Sequence, residues 1–379
     1  MPRWAWIVGG AVLVLAVAVV VILLLPHGSG SSGTAGKGTP RVEILVPPRP
    51  SPDAMAAHTT SPGAAPSHGA APADPALTPP PGSTQAASGA VEVAAVPPDA
   101  FRDVPLAAKD EPLPPAPDPA LVEPGAAGSL PRIGADGRQP WRAYAKPVQV
   151  AGDLPKIAVV VRGLGLNRPT TEAAIHRLPG RVTLAFDPYA QDLDQWVAEA
   201  RRAGHETLIA LPLESLSFPA QDAGPLAVTV AAGRDENDRR LLSVLARQPG
   251  QVGVLAVHGS NIAPIDERIR PVLETLLRRG LMVVDGTGAD KSLIPAIASE
   301  IGLPRAFADV TVQGPPSQQG VDDTLDMIEK EARRKAAVVL VTDAYPVAVA
   351  RLARWAGSLD TRNLALVPVS ALADKQFLP

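Results

Sequence analysis

Six side chains of this chain sit where chemistry could be done: Arg162, His205, Glu214, His258, Asp285 and Asp343. Five of them come at or just after apolar runs. Arg162 follows Ile157–Val161, an unbroken and mostly β-branched run of the kind that forms a strand buried on both faces. Glu214 comes after Leu208–Leu211, His258 after Val254–Val257, Asp285 after Leu281–Val284 and Asp343 after Ala337–Val341. In α/β folds ligands bind at the C-terminal ends of the strands, so these residues point to one mouth. A pair of carboxylates there would in principle hold Ca²⁺ or Mg²⁺, although no cluster demands one. Arg162 works against that, because a guanidinium repels a divalent cation and pairs with a carboxylate, here Asp285, Glu214 or Asp343.

The individual residues have plainer readings too. His258 reads as a hydrogen-bonding loop residue, and it reaches a metal only if its strand ends in a bulge. His205 follows Gly204, so it either closes a helix end or lines the mouth. Asp343 and Asp266 are placed to cap the helices that follow them. His176, His205 and His258 are the histidines of the C-terminal part, and no two have close ligand spacing. There are no cysteines, which excludes thiolate ligands, thiol nucleophiles and disulfides. Gly163-Leu-Gly165 after a strand invites a dinucleotide reading, but the third glycine of that fingerprint would fall on Arg168. Asp187 stands about where a ribose-binding acid would, and it does not rescue the fingerprint.

The elements that must position these residues alternate strand and helix from Lys156 onward. Strands are expected at Ile157–Val161, Val182–Phe186, Leu208–Leu211, Val254–Val257, Leu281–Val284, Ala306–Val310, Ala337–Val341 and Leu364–Val367. Asn167 with Pro169 announces the first helix. Ile269, Val272, Leu273, Leu276 and Leu277 make one apolar helical face. Helices are also expected around Leu193–Ala200, Leu241–Leu245, Ile294–Ile301, Asp322–Arg334 and Pro346–Trp355. Gly204, Gly250, Gly280 and Gly302 each stand between a helix and a strand, where a C-cap is wanted. The count suggests one α/β domain, a (β/α) barrel that is distorted or incomplete. Residues 212–232 interrupt the pattern and are expected to pack over the mouth.

The N-terminal part is different. Trp4–Leu25 carries no charge, and as a helix its 22 residues would span roughly 33 Å, about a bilayer core. Arg3 precedes it and no Lys or Arg follows until Lys37, so the rest of the chain is expected outside the cytoplasm. A cleaved signal peptide is the competing reading, and the apolar region is long for one. Of the 43 prolines, 25 fall in residues 26–149, and residues 26–140 read as a disordered tether. Arg41–Val46 is a short strand-like run inside it. Residues 1–150 carry 10 Lys and Arg against 11 Asp and Glu, and residues 151–379 carry 25 against 27. Neither part is a basic patch, so no nucleic-acid partner is expected.

Several ordered runs together resemble the divergent polysaccharide deacetylase family of exported bacterial proteins. They are Trp141–Pro147, Ile157–Val161 with Leu164-Gly165, Val182–Ala190, Ala203-Gly-His-Glu206, Leu211-Pro-Leu-Glu214 and Phe218–Pro225. The resemblance covers about Trp141 to Leu372. It implies a deformed (β/α)7–8 barrel related to carbohydrate deacetylases, in which a divalent metal held by Asp and His activates water against an N-acetyl group. The pattern breaks where that chemistry would sit. Relatives carry Asp-Asp directly after the first strand, where this chain has Arg162-Gly163. Relatives carry Asn-Asn-His-Met-Gly after the middle strand; here the run is Leu255-Ala-Val-His-Gly259, so Val257 holds the histidine position and His258 falls one place late. That shift points it to the other face of the strand. Relatives tend to carry a histidine before the late proline, where this chain has Thr342-Asp-Ala-Tyr-Pro346.

The expected organisation is therefore a transmembrane signal anchor (1–25), a Pro/Ala/Gly-rich linker (26–140) and a deacetylase-like domain (141–379). The chain is expected to be a single-pass inner-membrane protein with this domain in the periplasm. It is expected to lack catalysis, to hold no metal or other cofactor, and to bind a glycan or a cell-envelope protein. The rival expectation is an active zinc-type carbohydrate deacetylase, with a rearranged site built from His205, His258, Asp285 or Asp343. A third, a structural envelope scaffold, would have its mouth plugged by side chains.

Overall fold

The computed structural model describes residue 96 and residues 100–150, 152–312, 314 and 316–378. The expected span Trp4–Leu25 and the linker as far as residue 95, with Arg41–Val46, lie outside the described residues. Among the described residues no helix is long and apolar enough to cross a membrane.

The first elements are an antiparallel hairpin, β1 (Val122–Gly125) with β2 (Gly128–Pro131), and one turn of helix, α1 (Pro140–Ala143). A parallel nine-stranded sheet follows, built from β3 (Lys156–Leu164), β4 (Thr183–Phe186), β5 (Thr207–Leu213), β6 (Gly253–His258), β7 (Met282–Asp285), β8 (Arg305–Phe307), β9 (Val310–Val312), β10 (Ala337–Asp343) and β11 (Ala365–Val367). The strand order is β8-β7-β6-β5-β4-β3-β10-β9, and β11 lies against the first half of β3. The two ends of this path are consecutive in sequence. Only Ala308 and Asp309 separate β8 from β9, and their amides donate to the carbonyls of Asp285 (2.8 Å) and Val339 (2.9 Å). The sheet is thus a curled, parallel-stranded α/β half-barrel. The single strand expected at Ala306–Val310 is two short ones. The chain bends there because the buried Asp309 carboxylate turns in to accept from Val339 N (2.9 Å), Lys335 Nζ (2.7 Å) and Gln376 Nε2 (2.7 Å).

The helices α2 (Arg168–Arg177), α3 (Leu193–Arg202), α4 (Arg234–Arg247), α5 (Asp266–Arg278), α6 (Ile294–Ile301), α7 (Gln318–Lys335) and α8 (Pro346–Ala356) alternate with the strands. Asn167 caps α2 as expected, its Oδ1 accepting from Thr170 N at 3.1 Å. Asp266 is not a cap: it is the first residue of α5, and its carboxylate takes Arg270 at 2.7 Å. Strand alternation divides the core in two. Ile157, Val159 and Val161 face the helices, while Ala158 and Val160 join Leu255, Val257, Val284, Val339 and Val341 in the second cluster, the inner face of the curl. Gly302 caps α6 in the left-handed region, at φ 76°. Gly250 is needed for another reason: a Cβ there would lie 2.7 Å from Ala116 Cβ.

That contact belongs to a feature the composition hid. Residues 100–140, expected within the disordered linker, belong to the folded body. Phe101, Val104, Leu113, Leu121 and Leu130 are buried. Ala107 N donates to His176 O (2.9 Å) and Leu113 N to Arg201 O (2.9 Å). Buried Arg201 returns bonds to Pro114 O (2.8 Å) and Tyr144 O (3.1 Å), and Lys146 Nζ bridges Asp110 Oδ1 (3.1 Å) and Gly204 O (3.0 Å). The segment is held by backbone bonds and a few apolar anchors, without the periodicity that marks an element.

Beside it sits a fully buried carboxylate, Glu206. One oxygen accepts from Thr183 Oγ1 (3.0 Å) and Ser370 N (3.0 Å), the other from Lys146 N (3.1 Å) and Ser370 Oγ (2.5 Å). Four donors from three separate stretches of chain meet on one side chain.

Two outcomes follow. A chain begun at Ala100 should melt like the full chain. One begun at Trp141 should lose at least about 3 kcal/mol, because Lys146 loses its Asp110 counter-ion, Arg201 loses Pro114 O, and the buried anchors Phe101, Val104, Leu113 and Leu121 are taken from the core. Equal melting curves for the two would return the boundary to Trp141. Glu206→Gln places an amide NH2 against donors and should cost about 2–4 kcal/mol in urea unfolding; a loss within 0.5 kcal/mol, on the order of a surface change, would show the network to be incidental.

Candidate functional site

At the C-terminal end of the sheet, β3 and β10 run side by side in regular register, and Arg162 and Asp343 are direct partners in that ladder. Both stand at inward-facing places in the alternation: Ala158, Val160, Arg162 on one strand and Val339, Val341, Asp343 on the other. Arg162 Nε donates to Asp343 Oδ1 at 2.7 Å, with a longer contact from the guanidinium to Oδ2 at 3.5 Å. The remaining terminal nitrogen donates to Gly286 O at 3.3 Å, just past β7. Since β7 lies four places from β3 in the sheet order, the guanidinium reaches across the mouth. Arg162 is 8% exposed. The strand carries it further than expected, since β3 continues through Leu164 with an irregularity in its pairing to β4 between Val161 and Leu164. Of the three carboxylates offered for Arg162, the structure selects Asp343. It also removes Asp343 as a helix cap, for Tyr345 stands at the N-cap of α8.

The other carboxylates at the mouth are engaged. Asp285, at an outward-facing place after Val284, is buried, and its Oδ1 accepts from Thr287 N (3.0 Å) and Thr287 Oγ1 (2.7 Å). Glu214 holds the expected covering segment in place: it accepts from Val230 N at 3.0 Å and from the Asn261 side-chain amide. Its backbone joins in, with Glu214 N on Val228 O at 3.0 Å. Asp187 accepts from Tyr189 N at 2.9 Å, and burial raises its carboxyl above the usual value.

His258 ends β6 in a left-handed conformation, φ 62°, and its side chain is exposed. Loss of hydration around the ring, then the nearby Arg162 charge, hold its pKa below the usual imidazole value, with Asp343 opposing. Val257, the inward-facing residue before it, is buried. His205 is far from all of this. It is fully buried at the other end of the sheet, where its ring nitrogens lie 2.8 Å from Val182 O and 3.0 Å from Ile175 O. Burial lowers its pKa. It ties the last turn of α2 to the start of β4 and does not line the mouth. His176 is a surface partner of Glu199, at 2.6 Å.

The mouth therefore gathers Arg162, Asp343 and His258, with Glu214 and Asp285 serving the loops around it. Sequence reasoning missed Gly286, Thr287 and Asn261. The run Asp285-Gly-Thr287 carried a signal, because an Asp two residues before a Thr in a glycine turn bonds its own backbone. Among the described residues no three His, Asp or Glu side chains gather as metal ligands. A divalent metal fits this donor set poorly, with one carboxylate on a guanidinium, two on loop amides or hydroxyls, and a single imidazole beside a guanidinium charge.

Removing the Arg162 charge should raise the His258 pKa. Arg162→Gln deletes a repelling cation and frees Asp343, and both changes favour the imidazolium. A proton NMR titration should show the His258 shift moving toward higher pH in the variant; no movement would separate His258 from the pair.

The profile of the divergent polysaccharide deacetylase family matches residues 159–373. The uncharacterized protein YibQ of Escherichia coli is 23% identical over 233 residues, which is 62% of this chain and 70% of that protein. The crystal structure of an uncharacterized protein, ATU2773 from Agrobacterium tumefaciens, superposes with a TM-score of 0.63 at 33% identity, covering 65% of this chain and 100% of that one. With residues 159–373, more than half of its length, matched by the family profile, this chain belongs to the divergent polysaccharide deacetylase family.

Proposed function

We propose that this protein is a catalytically degenerate member of its family that binds a glycan in the mouth of a deformed (β/α)7–8 barrel. The observation that carries the reading is the Arg162–Asp343 pair. Hydrolysis by a metal needs ligands that leave one position open for water, and an acid or base within hydrogen-bond reach. Here a cation stands where the resemblance implies a carboxylate, and it occupies the carboxylate it faces. The positions that supply aspartate and histidine in relatives hold Arg162, Gly163 and Val257. An Arg–Asp pair at an opening is still suited to sugars, since it offers N–H donors and carboxylate acceptors to adjacent hydroxyls.

The uncharged run Trp4–Leu25 supports an inner-membrane anchor, and the charge asymmetry around it supports a periplasmic position for the domain. The linker gives the domain reach toward the envelope, and a protein of the envelope is the other partner class that this placement allows.

Metal analysis of the purified chain, run beside acetate release from chito-oligosaccharides, tests the reading. The expected result is no stoichiometric zinc and no acetate, with saturable glycan binding that weakens about tenfold or more in Asp343→Asn, the loss of one charge-assisted bond. Stoichiometric zinc with metal-dependent acetate release, abolished by His258→Ala, would instead establish the rearranged active site. No binding to any glycan of a broad envelope panel would leave a structural scaffold.

A further inference from the structure

Between the hairpin and the outer faces of α4 and α5 lies a cavity of about 390 Å³. Three guanidinium groups line it, those of Arg132, Arg278 and Arg279, together with Glu123, Asp238 and Thr275. Both acids already have partners. Arg279 donates to Glu123 Oε1 (2.9 Å) and to Pro131 O (2.9 Å), while Asp238 accepts from Thr275 Oγ1 (3.1 Å). Arg278 donates to Thr275 Oγ1 at 2.7 Å and, among the described residues, meets no carboxylate. Arg132 has no ion pair among the described residues either, and its Nε is buried without a hydrogen-bond partner. The lining thus holds one more positive charge than negative, and two of its guanidinium-bearing residues, Arg132 and Arg278, meet no carboxylate among the described residues.

A guanidinium fork matches a tetrahedral oxyanion with two parallel N–H···O bonds, and several forks facing one space multiply that match. The geometry points to a second binding site here, one for a phosphate or sulfate group, with Arg132 and Arg278 as its main donors and Arg279 held in place by Glu123. The site is separate from the mouth. Arg278 is the last residue of α5, and in an alternating β-α fold the helix C-termini lie at the end of the sheet where the strands begin. One wall is the β1–β2 hairpin, so the site exists only because residues 100–140 fold against the domain.

Isothermal titration of the full chain with inorganic phosphate, at matched ionic strength in chloride, tests this. The wild type should bind saturably at one site. Arg278→Ala and Arg132→Gln should each weaken binding about tenfold or more, the loss of one charge-assisted bond. Arg278 is exposed, so its variant should melt like the wild type and loss of binding there reads on the site itself. Arg162→Gln should leave phosphate binding unchanged. A parallel titration with a soluble short-chain phosphatidylglycerol separates the two sources of the group. Arg278-dependent binding of the lipid alone assigns a lipid headgroup, and of inorganic phosphate alone a free phosphate. The site is overturned if neither binds saturably, if binding survives both arginine variants, or if it is lost in Arg162→Gln.

Discussion

A guanidinium cannot shed its proton inside a protein, so an arginine aimed into the mouth of a barrel has to be met by acceptors. Strand alternation aims Arg162 there, because it continues the inward series Ala158, Val160. The parallel register of β3 and β10 then supplies the answer at no conformational cost, since Asp343 is its ladder partner. Gly286 O completes the match from the far side. With the guanidinium across the opening, a second cation beside it is disfavoured. His258 ends β6 in a left-handed conformation, and loss of hydration together with the Arg162 charge biases its imidazole to the neutral form. The charge of the mouth is decided by this one pair, and the loop carboxylates Glu214 and Asp285 spend their acceptors on the backbone nearby.

The opposite end is held by a different device. Glu206 carries a buried negative charge that no side-chain cation touches directly; it is stabilised by two hydroxyls and two backbone amides. Those donors come from Lys146 before the barrel, Thr183 in β4 and Ser370 near the chain's end. Lys146 in turn points away, to Asp110 and Gly204 O, and so fastens the segment that precedes the barrel. A carboxylate with four hydrogen bonds defines one arrangement of these parts, because an apolar contact there would tolerate sliding and this one would leave donors bare.

The strands and helices from Lys156 onward were legible in the sequence because each is a local pattern: a β-branched run or a helical stripe, with a glycine where a cap is needed. Ile294–Ile301 was read to the residue. The family was legible too, through ordered runs that turn out to build the base as much as the mouth. Ala203-Gly-His-Glu206 is the clearest case, since His205 and Glu206 are both fully buried there. What was not legible is what depends on three-dimensional partners. That Arg162 would meet a carboxylate was legible, with Asp343 one of three offered; which of them, and that Asp343 is then no helix cap, was not, because the choice rests on the β3–β10 register between residues 181 apart. Residues 100–140 looked like more linker because proline and glycine dominate them, yet their anchors Phe101, Val104, Leu113 and Leu121 are spaced irregularly and grip surfaces of other elements. Asp285 was read as pointing at the mouth from its place at a strand end, and its parity with Val283 instead sends it outward.

The backbone itself bears on what an aspartate pair at the end of β3 would cost. The resemblance puts an aspartate pair at the positions of Arg162 and Gly163. Arg162→Asp would set a carboxylate directly opposite Asp343 in the ladder, a like-charge pair with the former counter-ion gone. Gly163 has φ 76°, in the left-handed region that side chains with a Cβ enter only at a cost, although a Cβ there would meet no atom within 4 Å. The obstacle at Gly163 is therefore conformational and the obstacle at Arg162 electrostatic, and neither substitution relieves the other. Even with both made, the inward place on β6 is Val257, whose side chain offers a metal nothing. Building the ligand set that the resemblance implies would need an aspartate accommodated at Gly163, an imidazole on β6 and a released Asp343 together. Each of the two substitutions on β3 alone therefore disturbs the mouth as it stands, one through charge and the other through the backbone.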